Sequence, residues 1–196
     1  MNNIDDQHHI NQIIAGNSDE FAVLVDRYKD LVFTLAYKMV KNREEAEEVA
    51  QDAFVKTYKS LHTFKGESKF STWVYKITYH TCLDHLKRRK KENSIVYIED
   101  FNELHIKAIE DVLGDIDEKE RNKKVQDCLH LLSGDDAFLL TLYYFDDLST
   151  EEISIVMGIN ANNIKVKLFR SRKKLASILR ERLGPEVVDY YERERR

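Results

Sequence analysis

Apolar side chains recur at helical spacing along most of this 196-residue chain. The clearest run carries Phe21, Leu24, Val25, Tyr28, Leu31, Val32, Leu35 and Met39. It follows the i, i+3, i+4, i+7 rule of a helix that buries one stripe. Ser18 or Asp19 is placed to cap its start, and Asn42 to end it. Ahead of it, residues 10–15 predict only a short amphipathic turn. A second stripe begins near Arg43 and shows Ala46, Val49, Ala50, Ala53, Phe54, Tyr58 and Leu61. Its early turns hold Glu44, Glu45, Glu47 and Glu48, where the helix dipole favours acids. After a loop at 65–69, Ser71 or Thr72 caps a third long helix bearing Trp73, Ile77, Cys82 and Leu86.

Between 92 and 118 the periodicity fades and the chain turns acidic, which reads as a linker with scattered hydrophobic anchors. Helical spacing resumes over 119–132, 135–145, 149–157 and 162–182. Ser149-Thr150-Glu151-Glu152 has the form of a capping box. The chain is therefore expected to be all-α. Two small helical domains, 1–91 and 119–184, are joined by a flexible linker at 92–118 and followed by a tail at 185–196.

Composition supports this picture. One proline, Pro185, and six glycines leave few hairpin signals. The net charge of −4 argues at first against nucleic acid. The charges are segregated, however: bases gather at 87–91 and 165–174, acids at 44–52, 99–117 and 135–152. With screening over roughly 8 Å, a basic face acts locally whatever the sum. Cys82 and Cys128 stand alone without CxxC spacing, as expected in a reducing compartment. No charged-then-apolar leader and no run long enough to span a bilayer is seen, so a cytoplasmic protein without membrane insertion is expected.

Two segments carry candidate chemistry. From Phe64 to Tyr79 aromatic residues alternate with cations after a glycine-bearing loop. Flat rings stack on unpaired bases, worth roughly 1–3 kcal/mol per base, while cations hold the phosphates. Further on, 148–175 has the form of a helix-turn-helix. Met157-Gly158-Ile159-Asn160 supplies the turn, with Gly158 free to take positive φ. Ile153, Val156, Ile159, Ile164, Leu168 and Leu175 fill the seam between the helices, and the bases from Lys165 to Lys174 are left for phosphate. One segment thus suits separated strands and the other duplex.

With both segments read, the chain resembles the bacterial sigma factors, in particular the extracytoplasmic-function (ECF) group. The likeness covers roughly 21–91 and 125–179 and includes an intact F-x-G-x-S-x-F-x-T-W framework from Phe64 to Trp73. The resemblance implies a non-enzymatic specificity subunit that recruits core RNA polymerase to promoter DNA. On this likeness Glu48, Gln51 and Asp52 face the polymerase β′ clamp helices, and the second domain meets the β flap. Lys65, Gly66, Lys69, Phe70, Ser71 and Thr72 hold a flipped base of the −10 element as single strand. Lys76, His80, Lys87 and Arg88 follow the backbone. Phe64, Trp73 and Tyr75 stand open between base contact and core, with packing favoured for Trp73 because large aromatics carry most core area.

In the second domain Lys165, Val166, Lys167, Phe169 and Arg170 match the −35 recognition positions; Asn162 and Asn163 stand at the helix N-terminus, where free N–H groups attract phosphate, and Arg172 and Lys173 complete the expected duplex contacts. Lys165 and Arg170 are the candidates for base edges, whereas Lys167, Arg172 and Lys173 suit phosphate. His80 stands where the family usually has asparagine, and Asn163 and Val166 where it has small hydroxyl residues. These departures bear on promoter sequence. An anti-sigma factor that clamps the two domains is the implied regulator.

Two rivals are weighed beside this reading: an autonomous helix-turn-helix regulator, and a sigma-like interaction protein without promoter activity. The cation–aromatic loop opposes the first and the retained bases at 165–174 the second. No cofactor is expected. No metal site is expected either, because His80 and Asp84 share a helix face but Cys82 points away from it. No catalytic motif is present.

Overall fold

The computed structural model describes residues 3–92 and 127–183. Within them every regular element is helical: α1 (Asn3–Ile14), α2 (Glu20–Val40), α3 (Arg43–Ser60), α4 (Phe70–Glu92), α5 (Gly134–Tyr144), α6 (Thr150–Met157) and α7 (Ala161–Leu183). A 3-10 turn at Leu61–Thr63 and a helical stretch over 127–131 complete the set. All but the first residue of the expected linker, and the whole expected tail, lie outside the described residues.

The first group of helices forms around the α2 stripe. Leu24, Tyr28, Val32, Leu35 and Met39 are buried as the spacing requires. They meet Ala46, Val49, Ala50 and Ala53 of α3, whose small side chains let the two helices approach closely. Lys41 takes the left-handed position that closes α2, with its N–H on the Tyr37 carbonyl. Asn42 therefore does not end α2. It caps α3 instead, its side chain accepting from the Glu45 N–H at 3.0 Å. Asp19 occupies the N-cap of α2 but makes no side-chain cap bond.

α1 is longer than the short turn read from the sequence. It is anchored by buried Ile10 and by Asp6, which accepts from the Tyr28 hydroxyl at 2.5 Å and from Arg27. α4 begins at Phe70, ahead of Ser71 and Thr72, so neither of those residues caps it.

α4 departs from a one-striped helix. It packs on α2 and α3 along one side and on α6 along another. Val74, Tyr75, Thr78, Tyr79 and Cys82 are all buried, and the Cys82 thiol is pushed up to about 12 by burial. A helix covered from two directions needs no polar half, which is why its apolar residues do not sort onto a single stripe.

α5 runs against α2, and α7 closes over α5 and α6. Phe138, Leu139 and Leu142 of α5, Ile153 and Val156 of α6, and Ile164, Leu168 and Leu175 of α7 are buried. These join the α2–α4 residues in one continuous cluster. Ser149 caps α6 through the full box: its hydroxyl receives the Glu152 N–H, and the Glu152 carboxylate accepts from the Ser149 N–H at 2.9 Å. Replacing Ser149 with Ala should cost about 1 kcal/mol of stability. Urea unfolding followed by circular dichroism checks this, and an unmoved midpoint would show the box to be dispensable.

Candidate nucleic-acid interface

α6, its turn and α7 build the helix-turn-helix. Gly158 closes α6 at φ 70°, in the left-handed region that the sequence assigned to it. Asn160 then caps α7, its side-chain oxygen accepting from the Asn163 N–H at 2.8 Å. The turn's sequence signal lies in its glycine, and an asparagine two residues on is the further signal for this cap. With Ile164, Leu168 and Leu175 turned inward, Asn162, Asn163, Lys165, Val166, Phe169 and Arg170 lie exposed. Phe169 is 58% and Val166 49% exposed, costly for large apolar groups unless something covers them.

Three expected phosphate contacts are occupied within the protein. Lys167 is bound by Asp135 at 2.7 Å. Arg172 lies over the rings of Tyr143 and Tyr144, at 4.9 and 5.3 Å. Lys173 covers Phe169 at 5.0 Å. Ile159 was expected in the seam but is 36% exposed. It borders a concavity of about 350 Å³ with Asn163, Val166, Lys167, Arg170, Lys174 and Asp136.

The loop before α4 divides in two. Lys65, Gly66 and Lys69 are exposed and Ser71 is half-buried. Phe70 is 1% exposed and Thr72 is fully buried, so neither meets a nucleotide in this conformation. Phe70 sits in an aromatic cluster with Tyr28, Phe64 and Trp73, at ring separations of 5.7, 5.4 and 5.8 Å. Trp73 packs on Phe64 at 5.3 Å, and Tyr75 is buried, in keeping with core roles. Lys76, His80, Lys87 and Arg88 are exposed along α4, the first three close to one stripe. Asp84 lies 3.7 Å from Lys56, and His85 lies 3.0 Å from Glu45, which Arg89 also reaches at 3.2 Å.

On α3, Glu48 and Gln51 are exposed and Asp52 half-buried. Beside them opens an apolar trough of about 800 Å³ between α2 and α3, lined by Phe21, Val25, Phe54, Val55 and Tyr58 among others. Tyr58 was placed on the buried face by its spacing, yet it is 44% exposed at this rim. No sequence signal separates the two positions, because a residue at the stripe's edge obeys the same periodicity.

Two buried carboxylates behave oppositely. Burial raises the pKa of Asp136, but hydrogen bonds from Lys174, Ser133 and Ser171 outweigh it and hold the group below its usual value. Those donors lie at 2.8, 2.6 and 2.5 Å. Asp146 is pushed up to about 6, chiefly by burial and then by the neighbouring Asp147, against a lowering hydrogen bond from Tyr75. Its Oδ2 has no hydrogen-bond partner among the described residues.

The chain matches the Sigma-70 region 2 family model over 24–92 and the Sigma-70, region 4 model over 122–175. It is 30% identical over 179 residues to the ECF RNA polymerase sigma factor SigW of Bacillus subtilis, an alignment spanning 88% of this chain and 95% of that one. It is 33% identical over 186 residues to the RNA polymerase sigma-H factor of Pseudomonas aeruginosa, spanning 90% and 96%. The sigma factor RpoE of Bartonella quintana, solved with the anti-sigma factor NepR, shares the fold at a TM-score of 0.62 and 20% identity, over 82% of this chain and 97% of that one. The helix-turn-helix and the preceding four-helix group thus define a transcription initiation factor. The chain belongs to the ECF RNA polymerase sigma factors, promoter-directing regulatory proteins that act with core polymerase. Among the described residues no helix is long and apolar enough to cross a membrane.

Because the folded chain raises the Asp146 pKa, the native state takes up that proton more readily than the unfolded one. The stability gained with the neutral acid is present at low pH and lost as pH rises through about 6. Asp146→Asn fixes the neutral form. It should raise the thermal midpoint above that of the parent at about pH 7.5, with the gap closing as pH falls toward the ordinary carboxylate value of 3.8. A gap independent of pH would contradict this assignment.

Proposed function

We propose that the chain joins core polymerase through α3 and reads promoter DNA at two places. The 1–91 module takes the −10 element as separated strand, and the 119–184 module takes the −35 element as duplex. In sequence the 92–118 segment connects the two modules, and residues 185–196 follow the second. The observation that carries the reading is the exposed face of α7. Asn162, Asn163, Lys165, Val166, Phe169 and Arg170 follow directly on the Gly158 turn and are not used by the core.

Arg170 and Lys165 have the reach and donors to address base edges, and Val166 offers apolar contact to a thymine methyl. In the first module Lys65, Gly66, Lys69 and Ser71 surround the loop mouth. Lys76, His80, Lys87 and Arg88 extend a basic track along α4. Phe70 and Thr72, buried here, enter contact with a base only after a local rearrangement. On α3, Glu48, Gln51 and Asp52 supply polar contact to the β′ clamp helices, and the adjoining trough with Val55 and Tyr58 supplies apolar contact.

The role is regulatory, with no reaction of its own, and it is exercised in the cytoplasm where the polymerase works. An anti-sigma factor is the fitting regulator, since the Bartonella quintana sigma factor that shares the fold was solved with one.

Reconstituted initiation with core polymerase tests the assignment, using promoters selected from a random library. Lys165→Ala and Arg170→Ala should each weaken promoter discrimination by about 1–3 kcal/mol where a base contact is lost. Selectivity unchanged in both variants would remove α7 from the reading surface.

A further inference from the structure

From the contacts along the flanks of α7 we infer that Asp136 is a positioning residue for the duplex reader. It fixes the roll of α7 about its own axis, and with it the aim of the base-reading side chains. Asp136 stands in the first turn of α5, where Ser133 caps the helix and gives its hydroxyl to the Asp136 carboxylate at 2.6 Å. An acid placed only for such a cap would sit at an open helix start. This one is 5% exposed and reaches across to α7. Its carboxylate accepts from the Ser171 hydroxyl at 2.5 Å and from the Lys174 ammonium at 2.8 Å. Asp135 beside it accepts from Lys167 at 2.7 Å.

Lys167, Ser171 and Lys174 are spaced i, i+4 and i+7, so they form one stripe of α7. On the other side of the seam made by Ile164, Leu168 and Leu175, Arg172 lies over the Tyr143 and Tyr144 rings of α5. The reading helix is thus gripped on both flanks by the helix it packs on.

Apolar packing is non-directional, so the seam alone leaves α7 some freedom to roll. Hydrogen bonds that converge on one buried carboxylate remove that freedom. Asn163, Val166 and Arg170 lie about a fifth of a turn from the pinned stripe, at ~100° per residue, and border the same concavity as Asp136. A roll of roughly 20° would carry a side chain about 5–6 Å from the axis through about 2 Å. The distance window of a hydrogen bond is only about 0.5 Å wide, so a base edge addressed by Arg170 would be missed. Ser171 is 0% exposed and Asp136 nearly so, which leaves neither a direct contact with DNA. Their effect on reading passes through α7. This inference rests on the assignment of α7 as the −35 reader.

The test uses holoenzyme reconstituted from core polymerase and the full-length chain. Open-complex formation is compared on two promoters that share a −10 element. One carries a −35 element selected from a random library, and the other carries that element scrambled. The ratio of the two rates is the readout, because lost folding or lost polymerase binding lowers both together. Lys174 released from Asp136 adds affinity for any duplex, and the ratio cancels that gain as well. Asp136→Ala should shrink the ratio at least about fivefold, roughly the loss of one base contact. Ser171→Ala should shrink it in the same direction. Asp136→Asn should restore part of it, since the amide oxygen still accepts from Ser171.

A folded Asp136→Ala chain with the parental ratio overturns the inference. If that chain fails to fold, a parental ratio in the Ser171→Ala chain overturns it. Lys165→Ala and Arg170→Ala separate the two layers. A reduced ratio in these, beside a parental ratio in Asp136→Ala, refutes the positioning role and leaves α7 as the reader. A parental ratio in both removes the reader and the positioning role together.

Discussion

Tyr79 carries the contact on which the arrangement of the molecule turns. Its ring packs on Phe138 while its hydroxyl donates to Asp135, so an apolar body and a polar tip are satisfied across one joint. Burial first, and then the charge of Asp135, raise its pKa well above the ordinary phenol range, which keeps the hydroxyl a donor. A hydrogen bond to a charged acceptor is worth about 1.5–3 kcal/mol and an aromatic pair about 0.5–1.5. These terms add to the shared buried cluster that joins the two helix groups. Asp146 works in the other direction, since a buried carboxylate near its working pH weakens the joint it helps to form.

α4 explains why this joint matters to function. The same helix completes the core of α2 and α3, presents Lys76, His80 and Lys87 to solvent, and offers Tyr75 and Tyr79 to the second group. Side chains carried on such a strut are positioned precisely by packing, as groups on a rigid element should be. The cost is that the face beside these cations is apolar and cannot stay bare. The second group covers it.

Much of this was legible in the sequence where a single element determines its own shape. The stripe of α2, the capping box at Ser149 and Glu152, and the left-handed turn at Gly158 are local, and each residue stands where its chemistry placed it. What escaped were features set by neighbours. Asn42 reads as a stop for one helix or a start for the next, and only the left-handed Lys41 decides between them. Tyr58 and Ile159 obey the buried periodicity yet lie at edges that nothing covers. Phe70 and Thr72 belong to the loop motif by order but to the core by packing. Lys167 and Arg172 look like free cations in a basic run, and partners distant in sequence occupy them. Asp135 and Asp146 are two acids among many until Tyr79 and Tyr75 are brought beside them.

The two groups are joined in the free chain, and one observation reaches that joint directly. With tyrosine and phenylalanine rings selectively protonated in an otherwise deuterated full-length chain, nuclear Overhauser spectra report which rings are neighbours. Cross-peaks between Tyr79 and Phe138 are predicted, at a ring separation of 5.0 Å. Their absence, with the Phe64–Phe70 and Tyr28–Phe70 peaks of the first group intact, would contradict the joined arrangement.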